Sequence, residues 1–555
     1  MTLAANVSGA AGVTHQVLNQ AEPAHGWNAF SDDKLLVAIA DRYAPWAKEK
    51  AARLGTYAGD EATQELARLA NKHTPELRTH DRFGNRLDWV DLHPAWHELM
   101  ALAFGHEVHS LAWTAGQPGA HVARGLLSYV WNQIEHGVGC PTGMTYAAFP
   151  GLAQPEFATW REKVLSTRYD KRPLPYRQKT GATIGYAMTE KQGGSDLRQT
   201  QTTARFLEDT KDGRVYLLAG HKWFFSVPQS DGFFTLAQTR AGVTCFFVPG
   251  FLPDGARNSL RIQRLKDKCG NRSNASSEVE YHDTLAWLVG EEGHGIREIL
   301  SHAHLTRLDF AIGSAGLMRQ ALTLALNHAQ TRRSFGLVLA EQPMMTNILA
   351  DLAIDSEAST LMAFRVARAT DAMQSDEEQR RIARVATPLA KFWNCKRAPA
   401  FVVEALECHG GNGFIEENPM ARLYREAPLN AIWEGTSNMM CMDVLRAMRK
   451  DPRVTEAFMA EVGRSRGADR HLDRWLDRLG SDIARPRNDD GHGRRLCNAM
   501  AYALQAGELR EHSAPEVFET FCRSRLQGDW GYVFGTLDSA PELKEIVARA
   551  TVLRR

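Results

Sequence analysis

The chain has 555 residues, 24% of them charged, and a formal net charge of +1. This length exceeds that of one ordinary domain, so we expect three or four domains with substantial hydrophobic cores. A nearly neutral chain has no overall field that favours nucleic acid or a membrane surface. No run of about eighteen apolar residues occurs, so we expect no membrane span. The N-terminal sequence lacks the basic and apolar regions of a secretory signal.

The eight cysteines are scattered along the chain, without a CxxC pair or any paired spacing. This distribution argues against a zinc site and against a disulfide framework. In a chain of this size it is typical of reduced, buried thiols. We therefore predict a cytoplasmic protein without a bound metal.

The first predicted elements, in chain order, are helices. In SDDKLLVAIADRYAPWAKEKAARLG a Ser-Asp-Asp cap precedes apolar residues at helical spacing, and the pattern predicts an N-terminal helical domain over residues 1–183. From 184 to 287 short alternating segments, such as RVYLLAGHKWFFS and TCFFVPGFL, are separated by turns that contain Gly and Pro. This pattern of short alternating segments and turns predicts a compact antiparallel β-domain.

Long helical segments return in the second half of the chain. Segments such as RLDFAIGSAGLMRQALTLALNHAQTRR predict a helical bundle over residues 288–447. A basic join, RAMRKDPR, then leads to a helical segment over 448–555 with many Arg and Asp residues. The predicted fold class is therefore α+β, with an N-terminal helical domain, a central β-domain, a helical bundle and an additional helical C-terminal domain.

Two short stretches of the β-domain contain groups suited to binding a flat, polar ligand. In AMTEKQGGSD, Thr189 and Ser195 offer hydroxyls, and two glycines let a ligand approach the backbone closely. Alone, this stretch is more often an ordinary loop. In GHKWFFSVPQSD three aromatic residues precede Ser226. They form either a core cluster or a wall on which a ring stacks.

A third region combines RRSFGLVLAEQ with the downstream stretch HGGNGF. Arg332 and Gln342 flank a Phe-Gly break in a helical pattern. Gly410 and Gly411 either expose backbone N–H groups to an anion or simply end a helix.

The fourth stretch, NAIWEGTSNMM, contains an acidic residue in apolar surroundings. Glu434 stands between Trp433 and a glycine. A lone Glu is usually a solvated surface residue. One that is buried among apolar neighbours has a raised pKa and is suited to act as a base.

Taken together, these motifs resemble the acyl-CoA dehydrogenase family of flavoproteins. The MTE…GSD loop, the GxR of CGNRSNASSE, RxxFG…Q, GGxG and EGT follow the order of that family between about residues 90 and 445. Over nearly its whole length the chain is further similar to a subgroup associated with bacterial defence against DNA alkylation. The resemblance implies an FAD cofactor, an acyl-CoA substrate and a homotetramer built as a dimer of dimers.

The resemblance assigns the flavin ring to the β-domain motifs. In the family, the loop that matches Met188 and Thr189 binds the edge of the isoalloxazine ring, and the residue that matches Ser195 reaches the pyrophosphate. The usual ring-stacking Trp-Ile-Thr aligns with Phe224, Phe225 and Ser226. A serine hydroxyl retains the ability to donate a hydrogen bond to flavin N5.

The resemblance assigns the ADP half of FAD to the third region. Arg332, Phe335 and Gln342 match residues that bind the cofactor of a neighbouring subunit in the family. Gly410 and Gly411 match the loop beside the same ADP group.

Glu434 matches the catalytic base of most family members. In isovaleryl-type members the base lies instead just before an Arg on an upstream helix, and here Thr306 holds that position. Trp433 is expected beside the flavin. Asn438 falls where relatives of the subgroup contact the cofactor.

Three interpretations stay open at this point: a working dehydrogenase, a flavoprotein that binds duplex DNA through its C-terminal domain, and a flavoprotein without efficient turnover. The flavoprotein without efficient turnover follows if Phe224, Phe225 and Trp433 narrow the substrate channel. Residues 450–555 contain eighteen Lys and Arg against seventeen Asp and Glu, which gives DNA binding little support. In GRSRGADRHLDRWLDRLG the arginines are accompanied by aspartates, which favours i,i+4 ion pairs on a solvated helix.

Overall fold

A computed structural model describes residues 14–211, 213–486 and 489–553 of the chain. Residues 1–13, on which the expectation of no secretory signal depends, lie outside the described ranges. Within those ranges no helix is both long enough and apolar enough to cross a bilayer.

The first part of the structure is helical, as predicted. Asp33 begins the first helix by accepting the backbone N–H groups of Leu35 (3.0 Å) and Leu36 (3.3 Å), a common N-cap arrangement. The helices are α1 (Lys34–Tyr43), α2 (Lys48–Ala58), α3 (Glu61–Lys72), α4 (Pro94–Gly105), α5 (Leu111–Thr114), α6 (Ala120–Trp131), α7 (Gly139–Ala148) and α8 (Ala158–Val164).

A β-hairpin interrupts these helices and was not predicted from the sequence pattern. Its antiparallel strands are β1 (Glu76–His80) and β2 (Arg86–Asp91). The side chain of Asp88 accepts the backbone N–H of Ile262 at 2.9 Å, so the hairpin is attached to the later sheet.

The central sheet domain closes on itself. Strand pairing runs β6-β4-β5-β9-β7 and returns from β7 to β6, while β3 and β8 extend the sheet at β6 and β9. Most pairs are antiparallel, as predicted, but β3 and β4 each run parallel to β6 because intervening strands allow the crossover that a parallel pair needs. The strands are β3 (Ile184–Ala187), β4 (Thr203–Thr210), β5 (Gly213–Ser226), β6 (Gly232–Thr239), β7 (Gly242–Pro249), β8 (Leu260–Leu265) and β9 (Ser276–Val289).

Three long helices form the centre of the bundle and pack against one another. The side chain of Asp376 caps the third of them by accepting two backbone N–H groups. The elements of this part are α9 (Gly295–Thr331), the short hairpin strands β10 (Arg333–Ser334) and β11 (Leu337–Val338), α10 (Pro343–Ala372), α11 (Glu377–Glu407), α12 (Pro419–Glu426) and α13 (Ser437–Lys450).

The C-terminal helices are α14 (Pro452–Gly463), α15 (Arg470–Ala484), α16 (Gly493–His512), α17 (Pro515–Phe521) and α18 (Glu542–Ala550). Their buried residues, such as Phe458 and Met500, belong to the same continuous core as the bundle and the N-terminal helices. The predicted helix–sheet–helix order is confirmed. The segment after residue 448, however, shares its core with the bundle and therefore cannot be removed without exposing apolar surface.

Candidate functional site

The loop that follows β3 is held close to β5 and is tightly folded. The backbone N–H of Trp223 donates to the carbonyl of Thr189 at 2.8 Å. A Cβ on Gly194 would lie 2.3 Å from Oγ1 of Thr189, so only glycine fits there. Met188 and Thr189 are half-buried and Ser195 is exposed. The loop therefore presents its polar groups outward from a fixed backbone, as a binding loop requires.

A buried ion pair supports this loop from below and was missed in the sequence. Nζ of Lys222 lies 2.8 Å from a carboxylate oxygen of Glu190, and both side chains are almost completely buried. The same carboxylate accepts the backbone N–H groups of Gln201 (2.7 Å) and Thr202 (3.1 Å). Burial opposes ionisation of Glu190, but Lys222 and these donors outweigh it and lower its pKa to about 2. The sequence signal that could have revealed this pair was the presence of charged residues inside apolar segments.

The three residues aligned with Trp-Ile-Thr do not all face the same way. Successive residues of a strand point to opposite faces, so Phe224 and Ser226 share one face and Phe225 takes the other. Phe225 is fully buried in the sheet core, with its ring centroid 4.5 Å from that of Phe233. Its expected flavin contact is therefore replaced by a core role. Phe224 is 50% exposed, and Nζ of Lys266 lies 4.8 Å from its ring centroid.

Glu434 sits in an irregular turn between α12 and α13. Its φ of 54° is in the left-handed region, which a non-glycine residue seldom adopts, and Gly435 follows with φ 104°. The neighbouring Trp433 stacks on Phe310, with ring centroids 4.8 Å apart. Its indole N–H donates to Asn430 at 2.9 Å. These contacts fix the turn, in which Glu434 is half-buried.

The surroundings of the Glu434 carboxylate suit a base. Oγ1 of Thr306, the residue at the alternative base position, donates to Oε2 of Glu434 at 3.5 Å. Burial raises the pKa of Glu434, and the charges of Arg307 and Lys391 together with the Thr306 hydrogen bond partly oppose this rise. The carboxylate thus has a higher proton affinity than a solvated glutamate.

The β-domain motifs and Glu434 meet in one place. Met188 and Trp433 pack against the same apolar cluster, which contains Cys140 and Tyr186. The Glu434 charge acts on both of these side chains: after burial, it is one cause of the raised pKa of Tyr186, and it contributes to the pKa of about 12 for the Cys140 thiol. The Tyr186 hydroxyl is buried without a hydrogen-bond partner. An unpartnered donor among apolar and polar walls fits a flat cofactor ring.

The third motif region lies far from this place on the same chain. Glu434 contacts α9 at Thr306, whereas Arg332 follows the end of α9, about 39 Å further along the axis at 1.5 Å per residue. Phe335 is 97% exposed with φ 51°, and Gln342 donates to the carbonyl of Ser334 at 2.8 Å.

The glycine loop lies beside the end of α9. The rings of His328 and His409 are 4.8 Å apart, which places Gly410 near Arg332. Both Gly410 and Gly411 are exposed, and a Cβ on either would meet no atom within 4 Å. Within one chain, the residues of the third region therefore lie close to one another but far from Glu434.

Asn438 lies in the first turn of α13, four residues after Glu434 in the sequence. Its side-chain oxygen accepts a hydrogen bond from Nε of Arg494, at the start of α16, at 2.7 Å. The expected cofactor contact of Asn438 stays a prediction. The contact joins α16 of the C-terminal segment to the start of α13 at Asn438, four residues after Glu434.

Three family models match consecutive parts of the chain. They are described as the adaptive response protein AidB N-terminal domain over residues 19–171, the acyl-CoA dehydrogenase middle domain over 185–284 and the acyl-CoA dehydrogenase C-terminal domain over 293–449. The putative acyl-CoA dehydrogenase AidB of Escherichia coli K12 is 44% identical over 518 residues, which cover 92% of this chain and 94% of that protein. The resemblance inferred from the motifs is confirmed.

Solved structures show the same fold. Caenorhabditis elegans ACDH-11 in complex with C11-CoA has a TM-score of 0.83 at 24% identity and covers 97% of each chain. An acyl-CoA dehydrogenase complexed with FAD from Bacillus anthracis has a TM-score of 0.66 at 18% identity, with 92% of this chain and 85% of that chain covered.

Proposed function

The chain belongs to the AidB group of the acyl-CoA dehydrogenase family, and on that premise we propose that it is an FAD-dependent oxidoreductase that acts on a short or branched acyl-CoA. The observation that carries this proposal is the half-buried Glu434, whose raised proton affinity suits a base and which lies beside the walls of a cofactor site. The product is the α,β-unsaturated acyl-CoA.

The residues that hold FAD divide into two sets. Met188, Thr189 and Ser195 hold the ring edge and pyrophosphate, while Phe224 and Ser226 present an aromatic face and a hydroxyl from β5. When bound, FAD supplies the acceptor for a hydride from the substrate β-carbon. Trp433 closes the apolar side of the site.

Glu434 removes the proton from the α-carbon of the thioester. That proton is only weakly acidic, so the base must have a proton affinity above that of a solvated carboxylate. Burial of Glu434 provides this, while Arg307 and Lys391 keep the ionised form accessible. The apolar walls formed by Trp433 and its cluster exclude water from the reacting carbon.

We propose a homotetramer, arranged as a dimer of dimers. Arg332 lies about 39 Å along α9 from the point where Glu434 contacts that helix, so the two groups of site residues do not meet within one chain. A second copy therefore supplies Arg332, Phe335, Gln342, Gly410 and Gly411 to each cofactor. The almost complete exposure of Phe335 in a single chain agrees with a position at a subunit contact.

Steady-state assays with an artificial electron acceptor test the oxidoreductase. We expect turnover of straight or branched short acyl-CoAs to the enoyl-CoA product, and a fall in kcat of about 10²–10⁴-fold in Glu434→Gln. FAD content and the unfolding midpoint stay unchanged in that variant. Equal activity of the two proteins contradicts the role of Glu434.

A flavoprotein without efficient turnover is the alternative. It is favoured if purified protein contains FAD but no thioester yields product. Phe224→Ala then tests whether the exposed ring restricts the channel, because Phe225 is buried elsewhere.

We also propose that the protein acts in the response to DNA alkylation by binding duplex DNA. The acidic residues at the start of α15 do not form the expected i,i+4 ion pairs. Asp469 instead caps the helix by accepting the backbone N–H of His471, and Asp473 accepts the backbone N–H of Gly467. Arg446, Arg470 and Arg474 are exposed, and within the described part of the chain none has a carboxylate partner. Such groups are available to bind phosphate.

Salt-dependent binding of a duplex oligonucleotide tests this proposal. Replacing Arg446, Arg470 and Arg474 by Ala should reduce the slope of log affinity against log salt by up to about 2.7. Arg464 and Arg466, which are paired with Glu461 and Asp477, serve as the control pair. An unchanged slope in the triple variant contradicts DNA binding at this surface.

A further inference from the structure

Two buried cations bind the backbone of the turn that carries Glu434. Nζ of Lys391 donates to the carbonyl oxygens of Trp433, at 2.9 Å, and of Gly435. Nε of Arg307 donates to the carbonyl of Glu434 itself at 3.3 Å. Three consecutive carbonyl groups are therefore held by side chains from α11 and α9.

This binding stabilises a backbone conformation that is otherwise unfavourable. Glu434 is a non-glycine residue with φ 54°, and such residues cost about 1–3 kcal/mol unless their surroundings hold them. No regular helix or strand contains the turn, and side-chain donors bind its carbonyl groups instead of a helix or sheet partner. Lys391 bridges the carbonyls on either side of Glu434 and thereby fixes the direction of its side chain.

Both cations lower the pKa of Glu434, Arg307 more than Lys391, but they differ in whether a carboxylate partner neutralises them. Arg307 pairs with Asp443 at 2.8 Å, and Asp443 also pairs with Arg384 at 2.6 Å. Lys391, by contrast, has no carboxylate within ion-pair distance among the residues that the structure describes. Its charge is therefore the less neutralised of the two beside the carboxylate.

The other titratable groups near Glu434 are uncharged at neutral pH. Burial lowers the pKa of His304 to about 4, raises that of the Cys140 thiol to about 12 and raises that of Tyr186. Burial also lowers the pKa of Lys391 to about 8, which leaves it mostly protonated near pH 7. Lys391 and the Arg307–Asp443–Arg384 group are thus the charges that Glu434 experiences.

We propose that Lys391 is a positioning residue for the reaction: it holds the turn that aims Glu434, and its charge keeps the carboxylate ionised between proton transfers. Lys391 acts through Glu434 and has no contact with the substrate in this role. The proposal depends on the proposed function, in which Glu434 is the base.

Lys391→Met is the direct test, and Lys396→Met, an exposed lysine of the same helix, is the matched control. We expect Lys391→Met to lower kcat at least about tenfold with KM nearly unchanged. The acidic limb of kcat/KM should move up by about one pH unit, because loss of the positive charge raises the pKa of Glu434. Lys391→Arg, which retains a charge and donors, should return the limb toward that of the wild type. An unmoved limb, or an equal shift in Lys396→Met, overturns the proposal.

Amide hydrogen exchange of residues 430–437 without substrate gives a readout that needs no activity. Exchange of this segment should be faster in Lys391→Met than in the wild type and in Lys396→Met, while exchange elsewhere in α11 stays the same. Unchanged exchange of the segment overturns the holding role. If the wild type turns over no acyl-CoA, the proposed function fails, and the exchange result still decides whether Lys391 holds the turn.

Discussion

At the scale of single residues, the candidate site depends on the carboxylate of Glu434, which is partly removed from water. Thr306 donates to Glu434, two cations stand nearby, and burial has the largest effect on its proton affinity. A base with such surroundings is protonated at a higher pH than an ordinary glutamate. Activity that needs the ionised form is therefore lost earlier on acidification.

The pH dependence of kcat/KM follows from this direction. Because the pKa of Glu434 is raised above its usual value of 4.5, the acidic limb should have its midpoint above pH 4.5. Activity is present above that midpoint and falls as Glu434 takes up a proton. The measurement is kcat/KM in the free enzyme across pH, with FAD content checked at each value. A midpoint at or below 4.5 contradicts a desolvated base.

Single residues also show what sequence can and cannot predict. The motifs around Glu434 and around the glycines of the loop after β3 could be recognised because they are local, and the family that they indicate is confirmed. Phe225 was assigned to the flavin although strand alternation turns it into the core. Lys391 was missed because a helical pattern reveals neither which loop a buried lysine faces nor a contact made more than forty residues away.

At the scale of elements, the loop after β3, which we propose binds the cofactor, relies on β5. The pair between Glu190 and Lys222 joins the loop to that strand inside the β-domain. The order of helices and strands was predicted because their periodicities are strong. The hairpin of β1 and β2 was missed because its segments, ELRTH and RLDWVD, are short and mostly polar. Its attachment at Asp88 is a tertiary contact that no local pattern reveals.

Lys222→Met should destabilise the fold by about 3–5 kcal/mol, because it leaves the Glu190 carboxylate buried without its partner. FAD should be retained poorly, since the loop above loses its support. The double variant with Glu190→Gln should recover part of this loss, and Lys191→Met on the exposed side of the loop should have little effect. Urea unfolding and the flavin content of purified protein measure both quantities. Full stability in Lys222→Met contradicts a supporting role for the pair.

At the scale of the whole molecule, helices from both ends of the chain share one core. Arg365 of α10 pairs with Glu461, and Arg368 pairs with Glu508, so α14 and α16 are joined to the bundle by buried ion pairs as well as by apolar contacts. The C-terminal segment is thus part of the scaffold of the site. Point substitutions, not truncation, are the appropriate tests of its function.

The subunit contact proposed at β10 and β11 leads to a prediction at this scale. Phe335→Asp should dissociate the tetramer into smaller species and release FAD, because a charge replaces a ring that a second copy covers. Phe83→Asp, which alters another exposed aromatic residue on the β1–β2 turn, is the control. Light scattering and flavin content are the measurements. A tetramer with full FAD in Phe335→Asp contradicts a contact through this residue.

The role of Glu434 as the base is tested most directly by the anaerobic loss of visible flavin absorbance after mixing with an acyl-CoA that carries deuterium at the α-carbon. If Glu434 removes the α-proton, the wild type should lose absorbance more slowly with the deuterated thioester than with the ordinary one, and Glu434→Gln should not lose it. Equal rates with both thioesters, together with full loss of absorbance in Glu434→Gln, would contradict proton removal by Glu434.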